Sequence, residues 1–306
     1  MAASEWDERI EYLRQTRDLY YNDDYLEFLV KSVWKLTKPV RLLDFGCGYG
    51  YLGLKLLPLL PKGSSYTGVD QGKKLLSRAE ELFGELPYET AFILGDVHKA
   101  VLERDFDIVL CHAFLLHMTK PLETLRKMID CVKDGGKIIC FEPHWIACMA
   151  DFYMGELDQS QYIRLGVLQK LFEEDARRGG KDGNIGAALP HELGQLGVKE
   201  IQCRMSDKVV ILEPGMERTL RQRLFDAIRT DGFGDDPGDR DAYIERLLSR
   251  GTTRQEAEEQ YEAEALLSST FSVNSRFTHA PSMKITFGTV IRDSSETEKQ
   301  PLQAAE

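Results

Sequence analysis

Val40-Arg41-Leu42-Leu43-Asp44-Phe45-Gly46-Cys47-Gly48-Tyr49-Gly50-Tyr51-Leu52-Gly53 is the stretch on which the fold turns. Residues 40–45 are short and apolar and read as a buried strand. Glycines at 46, 48 and 50 follow at once, and a Leu-rich helical run over 51–57 stops at Pro58. Glycine lets the backbone turn sharply and lets a ligand approach the main chain closely. The start of the following helix presents free N–H groups to a polar or anionic ligand.

The same rhythm continues outward. Residues 65–69 form a second strand ending at Asp70. A helix over 73–83 carries Leu75, Leu76, Ala79, Leu82 and Phe83 near a 3.6 period. Residues 90–94 form a third strand, ending Gly95-Asp96, and 106–111 a fourth. Pro121 opens a helix with Leu122, Leu125, Ile129 and Val132 on one face. Asp134-Gly135-Gly136 turns the chain into a fifth strand over 137–141. Strands this apolar, alternating with helices, imply a parallel sheet covered on both faces with right-handed crossovers.

The second half is less regular. Residues 146–178 read as mostly helical and 187–196 as a short helix. A sixth strand is expected over 200–212 and a seventh over 283–291. Helical pattern fills the interval between them, and Thr253-Arg254-Gln255-Glu256 fits a capping box. The acidic run 231–239 lacks the alternating ligands and closing Glu of a calcium loop, so it reads as a turn. The expected divisions are an N-terminal helical lid segment (1–37), a core (38–212 plus 282–292), a helical insert (213–281) and a disordered tail (293–306).

Composition narrows the function. The 306 residues carry 39 Lys+Arg against 50 Asp+Glu, a net charge of −11. That argues against duplex DNA or an anionic membrane as partner, since both call for dense Lys and Arg. The six cysteines stand at irregular spacings without a CxxC pair, so reduced, mostly buried thiols and no metal site are expected. The acidic start does not suit a targeting peptide, and no run approaches a membrane span. A cytoplasmic protein is expected.

Gly48-Tyr49-Gly50-Tyr51-Leu52-Gly53 also matches GxGxxG, with Asp70 twenty residues past Gly50, so an NAD(P)-dependent oxidoreductase is formally open. Against it stand the acid directly at the end of the first strand, the second acid-ended strand at Asp96, and the lack of a second βαβαβ half. Asp44-x-Gly46-x-Gly48-x-Gly50, Asp70, Gly95-Asp96, the fourth strand Asp107-Ile108-Val109-Leu110-Cys111-His112 and Lys133-Asp134-Gly135-Gly136 together resemble the class I S-adenosylmethionine-dependent methyltransferase family. The resemblance covers roughly residues 38–212 plus 282–292. It implies a Rossmann-like, mostly parallel seven-stranded sheet in the order 3-2-1-4-5-7-6, with strand seven antiparallel.

The resemblance also implies roles. Gly46, Gly48 and Gly50, with Cys47, would lie against the methionine part of S-adenosylmethionine, and Asp44 would hold the loop and the amino group. Asp70, with Gln71 beside it, would accept both ribose hydroxyls, because one carboxylate can accept two O–H donors. Asp96 would accept from the adenine amino group, with Val97 beside the ring. His112 would sit near the methionine end. The aromatic-rich stretch with Tyr12, Tyr20, Tyr21, Tyr25, Phe28 and Trp34 would fold over the cofactor, Tyr20 or Tyr21 touching it; plain packing of an amphipathic helix is the alternative.

Candidate catalytic groups stand where open α/β sheets bind ligands, past strands four and five. They are His117, His144 and Glu142. Histidine titrates near neutrality and can relay a proton, or it can merely pack. Glu142 reads either as a base or as a charge that orients a loop. The expected activity is methyl transfer to O, N or C of a small organic acceptor, by a monomer or homodimer acting on neither nucleic acid nor membrane. The alternative from another class is a cofactor-binding regulatory or scaffold module without methyl transfer.

Overall fold

The computed structural model describes residues 5–292; the tail expected over 293–306 lies outside the described residues. Ahead of the sheet, a 3-10 turn (Glu5–Glu8), α1 (Ile10–Thr16), a second 3-10 turn (Arg17–Leu19), α2 (Asp23–Phe28) and a π turn (Leu29–Val33) follow one another. The expected aromatic-rich helical stretch is therefore broken into short pieces, with Tyr20 and Tyr21 in the break.

Strict alternation follows: β1 (Arg41–Phe45), α3 (Tyr51–Leu56), β2 (Ser65–Asp70), α4 (Lys73–Gly84), β3 (Glu89–Leu94), β4 (Phe106–His112), α5 (Pro121–Cys131) and β5 (Val132–Pro143). Next come α6 (Trp145–Ala150), β6 (Phe152–Met154), α7 (Gln159–Tyr162), α8 (Leu165–Gly179), α9 (Ile185–Gln195), β7 (Lys199–Met205) and β8 (Val210–Leu212). The chain then runs through α10 (Arg218–Thr230), α11 (Arg240–Ser249), α12 (Arg254–Thr270), β9 (Phe277–His279) and β10 (Met283–Thr289).

The main sheet has seven strands in the order β3-β2-β1-β4-β5-β10-β7. Strands β1 to β5 pair in parallel, and β10 runs antiparallel to both β5 and β7. Counting β7 as the sixth and β10 as the seventh strand of this sheet, it is the 3-2-1-4-5-7-6 arrangement expected, not the all-parallel six strands of a dehydrogenase. One correction concerns the sixth strand. Residues 200–212 do not form one strand: β7 ends at Met205, and β8 joins β6 and β9 in a separate antiparallel sheet of three. The polar break explains the departure, since Ser206 bonds to Met283 and Pro281 while Asp207 accepts from Asn22. A second correction is β6, a strand inside the stretch expected to be helical; Phe152 and Met154 are buried and Tyr153 is exposed, the period of two that a half-covered strand requires.

Side-chain alternation divides the core into two layers. Leu42, Ile108, Leu110, Ile139 and Phe141 face α3, α4 and the N-terminal segment. Leu43, Phe45, Val109, Ile138 and Cys140 face α5 and α9. Fully burying such a side chain contributes about 1.5–3 kcal/mol, so both faces hold the sheet between helices. A third cluster, rich in Phe152, Phe271 and Phe277, joins the small sheet to α10 and α12. The Thr253–Glu256 capping box is formed as expected. The six cysteines are all unpaired and mostly buried, with Cys148 half-buried and Cys203 exposed. No helix among the described residues is long and apolar enough to cross a membrane.

Helix α9 packs against the end of β5 through Gly186. A Cβ there would stand 2.4 Å from the Glu142 carbonyl oxygen and 2.7 Å from that of Pro143, main-chain atoms that cannot rotate away. Gly186→Ala is expected to lower unfolding free energy in urea by about 1–3 kcal/mol. Gly166→Ala, on α8 with nothing within 4 Å of the added carbon, is expected to leave stability unchanged or slightly higher. Equal stability of the two variants would show that α9 can move off the strand.

Candidate functional site

The ends of β1 and β2 build a cradle. Gly46, Gly48 and Gly50 stand at φ +68°, +56° and +84°, in the left-handed region that a side chain rarely adopts. Phe114 and Phe83 fill the space where a Cβ of Gly46 or Gly50 would go. The Gly46 N–H donates to the Val69 carbonyl at 2.8 Å, which fastens the loop to β2. Asp70 then takes the Gly48 N–H at 2.9 Å and the Gly72 N–H at 2.7 Å, one on each carboxylate oxygen. These donors pull its proton affinity down, but burial is the larger effect and leaves it raised.

Asp44 lies beneath the loop, 2% exposed. The Tyr66 hydroxyl donates to its Oδ2 at 2.7 Å, while Oδ1 is buried with no hydrogen-bond partner. Burial pushes its carboxyl up to about 7; the Tyr66 bond opposes this and the nearby Asp70 charge adds to it. The Gly95 N–H donates to the Asp70 carbonyl at 2.9 Å, so the ends of β2 and β3 lie side by side. Asp96 is at the rim, its carboxylate accepting from the His98 N–H at 2.9 Å and held below its ordinary range chiefly by that bond. Val97 is buried beside Phe45 and Val69, and the Gln71 side chain is exposed. Cys47 is buried in the loop.

On the other side, Phe45 pairs with Cys111, so His112 emerges beside Gly46. The His112 ring is 5.7 Å from that of Tyr21 and 5.8 Å from that of Tyr51. Its Nε2 and the Tyr21 hydroxyl are buried without partners. Burial drives His112 well below the usual histidine range. Unpartnered polar atoms around a glycine cradle suit a polar ligand, since leaving such groups unsatisfied is costly.

The turn after β4 is held from below. Glu142 is fully buried, and its carboxylate accepts the N–H groups of Phe114 at 2.9 Å, Leu115 at 2.8 Å and Leu116 at 3.3 Å. Burial raises its carboxyl to about 7 against the pull of those donors. Of the two roles open to Glu142, orienting a loop is the one this geometry matches. His117 ends that turn with its ring 5.0 Å from Trp6. Burial first, then Lys181, Arg17 and Arg9, lower it to about 4, so it is neutral near pH 7. His117 lines two cavities, of about 360 and 420 Å³. His144 lines neither; it precedes α6, its N–H donating to the Ser282 carbonyl at 3.2 Å. The structure thus gathers the glycines, the three aspartates, Tyr21 and His112 around one rim, with His117 at its edge and His144 apart.

The N-terminal segment crosses this rim. Asp7 accepts the N–H groups of Lys74 at 2.9 Å and Leu75 at 3.1 Å, beside Asp70. Leu13 approaches Gly48, and the Tyr51 hydroxyl donates to the Arg17 carbonyl at 3.1 Å. The Arg17 charge bears on Tyr21, Tyr51, His112 and His117. The segment is moored to the insert by the Tyr20 hydroxyl, which donates to Asp231 at 3.0 Å. Asp7, Arg17, Trp6 and Phe114 escape sequence reasoning, because no motif spacing marks them.

Residues 43–138 match the family model of the methyltransferase domain. An uncharacterized methyltransferase of Schizosaccharomyces pombe is 28% identical over 150 residues, 42% of this chain and 54% of that one. The malonyl-[acyl-carrier protein] O-methyltransferase of Halalkalibacterium halodurans is 30% identical over 106 residues, 33% of this chain and 38% of that one. The ubiquinone biosynthesis O-methyltransferase of Aeromonas salmonicida is 31% identical over 102 residues, 32% of this chain and 41% of that one. The matches therefore span only about half or less of these relatives' own lengths. With the sheet order and the glycine cradle, they liken residues 43–138 to a methyltransferase domain.

Asp44 sets a pH dependence. Folded, it holds its proton up to about pH 7; an ordinary aspartate releases it near 3.8. Between those values the folded chain binds the extra proton, so this contribution to stability is full at low pH and is lost as pH rises through about 7. Asp44→Asn keeps an acceptor for Tyr66 without a charge. Its urea midpoint is expected to fall less than that of the wild type between about pH 4 and 7. Parallel curves would mean that Asp44 titrates as an exposed carboxylate.

Proposed function

We propose that the chain is an S-adenosylmethionine-dependent methyltransferase acting on a small organic acceptor. The observation that carries this reading is the cradle of Gly46, Gly48 and Gly50 flanked by the strand-end carboxylates Asp44, Asp70 and Asp96. Its left-handed glycines and its unpartnered Asp44 Oδ1, Tyr21 Oη and His112 Nε2 fit such a group. When bound, S-adenosylmethionine supplies a methyl carbon made electrophilic by its sulfonium.

The chain's own residues would then bind and orient. Gly46 to Gly50, including Cys47, would lie along the methionine part, with Tyr21 and His112 at its end and the Arg17 cation facing its carboxylate. Asp70, already fixed by two main-chain donors, would take the ribose hydroxyls, with Gln71 alongside. Asp96 and Val97 would flank the adenine. Orientation alone can supply on the order of 7–11 kcal/mol of the barrier in well-ordered cases. The N-terminal segment would keep water from the methyl group. His117, neutral near pH 7, would take the acceptor's proton as its nucleophilic atom bonds to carbon, with His144 a second candidate for that role and Glu142 holding the turn. The small acceptor is favoured by half-buried cavities of a few hundred Å³ and by the acidic balance of the chain.

Calorimetry with S-adenosylhomocysteine tests the cofactor half. Asp70→Asn is expected to weaken binding about 10- to 100-fold, or ~1–3 kcal/mol. Unchanged affinity would remove Asp70 from the site. Transfer of labelled methyl from S-adenosylmethionine to a panel of phenols, carboxylic acids and amines tests the other half. His117→Ala is expected to cut turnover while leaving S-adenosylhomocysteine affinity within about twofold. Cofactor binding with no product across the panel would favour a binding module instead.

A further inference from the structure

One buried carboxylate, far in sequence from the glycine motif, ties the N-terminal segment to the insert. Asp231 caps the C-terminus of α10. The Tyr20 hydroxyl lies 3.1 and 3.0 Å from its two oxygens, and the Tyr12 hydroxyl lies 3.4 Å from Oδ1. An acid at that end opposes the helix dipole, so α10 itself gains nothing from it. Its seat is rigid. Arg229 donates to the Gly234 carbonyl, and the Phe233 ring stands 4.5 Å from Phe152, 4.9 Å from Phe271 and 4.7 Å from Phe277.

The two tyrosines that Asp231 gathers each precede a residue of the cradle. Leu13 follows Tyr12 and approaches Gly48; Tyr21 follows Tyr20, its ring 5.7 Å from that of His112. Arg17 lies between them, its carbonyl taking the Tyr51 hydroxyl at 3.1 Å. The segment is thus laid on the cradle by one set of side chains and pinned to Asp231 by their neighbours. Asp7 holds its far end to α4, and beyond Asn22 the chain is anchored, with Leu26, Leu29 and Val30 wholly buried. The other ties at its middle, Thr230 to Gln15 and Lys208 to the Asp18 carbonyl, are exposed, and such bonds exchange with water at little net cost. The Tyr21 hydroxyl and His112 Nε2 are buried without partners beneath this cover, and Tyr21 is 3% exposed. A ligand reaches them when the segment lifts.

Resting on the methyltransferase reading, we propose that Asp231 is the latch of a gate over the cofactor site: through Tyr12 and Tyr20 it holds residues 5–21 down on the glycine cradle, and S-adenosylmethionine enters and leaves when those bonds part. The groups facing Asp231 fix how the latch answers to pH. Tyr12, Tyr20 and Arg17 face it from the segment and Cys148 from α6, while Arg229 on its own helix is directed to Gly234 and Asp235. Burial, chiefly, keeps both phenols and the thiol protonated near neutrality. Burial also lifts the Asp231 carboxyl to about 6, against the Tyr20 bond, the Arg17 charge and the Tyr12 bond; freed into water it would titrate near 3.8. The latched form therefore holds the proton more tightly. Acid favours latching, in full below about pH 4, and the advantage is lost as pH rises through about 6.

Two measurements on the full chain test the latch. They are hydrogen exchange of residues 10–21 without ligand, and stopped-flow fluorescence of S-adenosylhomocysteine binding, with Trp6 in the segment as a reporter. Tyr20→Phe takes the closest donor from a buried carboxylate. At pH 8 it is expected to speed exchange in the segment about tenfold and to leave β1 to β5 unchanged. Association and dissociation of S-adenosylhomocysteine are expected to quicken together, each about tenfold, with affinity within about twofold, since a gate that opens more often passes ligand both ways. A merely structural loss would quicken dissociation alone. In the wild type, segment exchange corrected for its intrinsic rate is expected to slow as pH falls from about 8 to about 5. Asp231→Asn keeps an acceptor without a charge and is expected to show no such slowing. Should Tyr20→Phe not fold, this pH comparison decides alone. Unchanged exchange in Tyr20→Phe, faster dissociation without faster association, or a pH response that survives in Asp231→Asn would overturn the proposal. A wild type that does not bind S-adenosylhomocysteine would instead remove the methyltransferase reading, and exchange on the chain alone would still judge the latch.

Discussion

The buried carboxylate of Glu142 is the constraint on which the rest of the site depends. It stands at the end of β5 and collects three main-chain donors from the turn after β4. Taking a carboxylate wholly out of water is expensive, and only several good hydrogen bonds offset it. The return is geometric. Phe114, at the start of that turn, covers Gly46; Leu116 and His117, at its end, face the larger cavity. One buried carboxyl group thus sets the position of both the glycine cradle's cover and a wall of the larger cavity. The register between β4 and β5, which pairs His112 with Phe141, places Glu142 under the turn.

A second anion does comparable work on the opposite flank. Asp70 spans the glycine loop and the start of α4, while Asp7 reaches α4 from the N-terminal segment. The three aspartates differ because their surroundings differ. Asp44 is buried with one bond, Asp70 is half-buried with two, and Asp96 is at the rim beside Lys99. Burial raises the proton affinities of Asp44 and Asp70, whereas at the exposed Asp96 the His98 N–H bond outweighs it and lowers the carboxyl.

Much of this was legible in the chain. Five apolar strands alternating with helices specify a parallel sheet, and glycines between an acid and a helix specify a ligand-facing loop. These signals are local: each needs only a window of a dozen residues. What escaped is non-local. Trp6 meets His117, Arg17 faces His112, and Tyr20 meets Asp231 across 211 residues, and no periodicity records such meetings. The sixth strand misled because Val210 to Leu212 is as β-prone as β7, and strand propensity cannot say which sheet a strand will join.

The split between β7 and β8 has a consequence for the architecture. Ser206 donates its N–H to the Met283 carbonyl at 2.8 Å and its hydroxyl to the Pro281 carbonyl at 2.7 Å. The excursion of some seventy residues that carries α10, α11 and α12 therefore leaves and re-enters the main sheet at nearly the same point. Closing a loop costs little more as it lengthens, each doubling adding only about 0.6 kcal/mol. The excursion is grafted on a stem: the sheet underneath needs no re-registration to accommodate its length, and its constraints lie instead in its contacts with the N-terminal segment, β6 and α8.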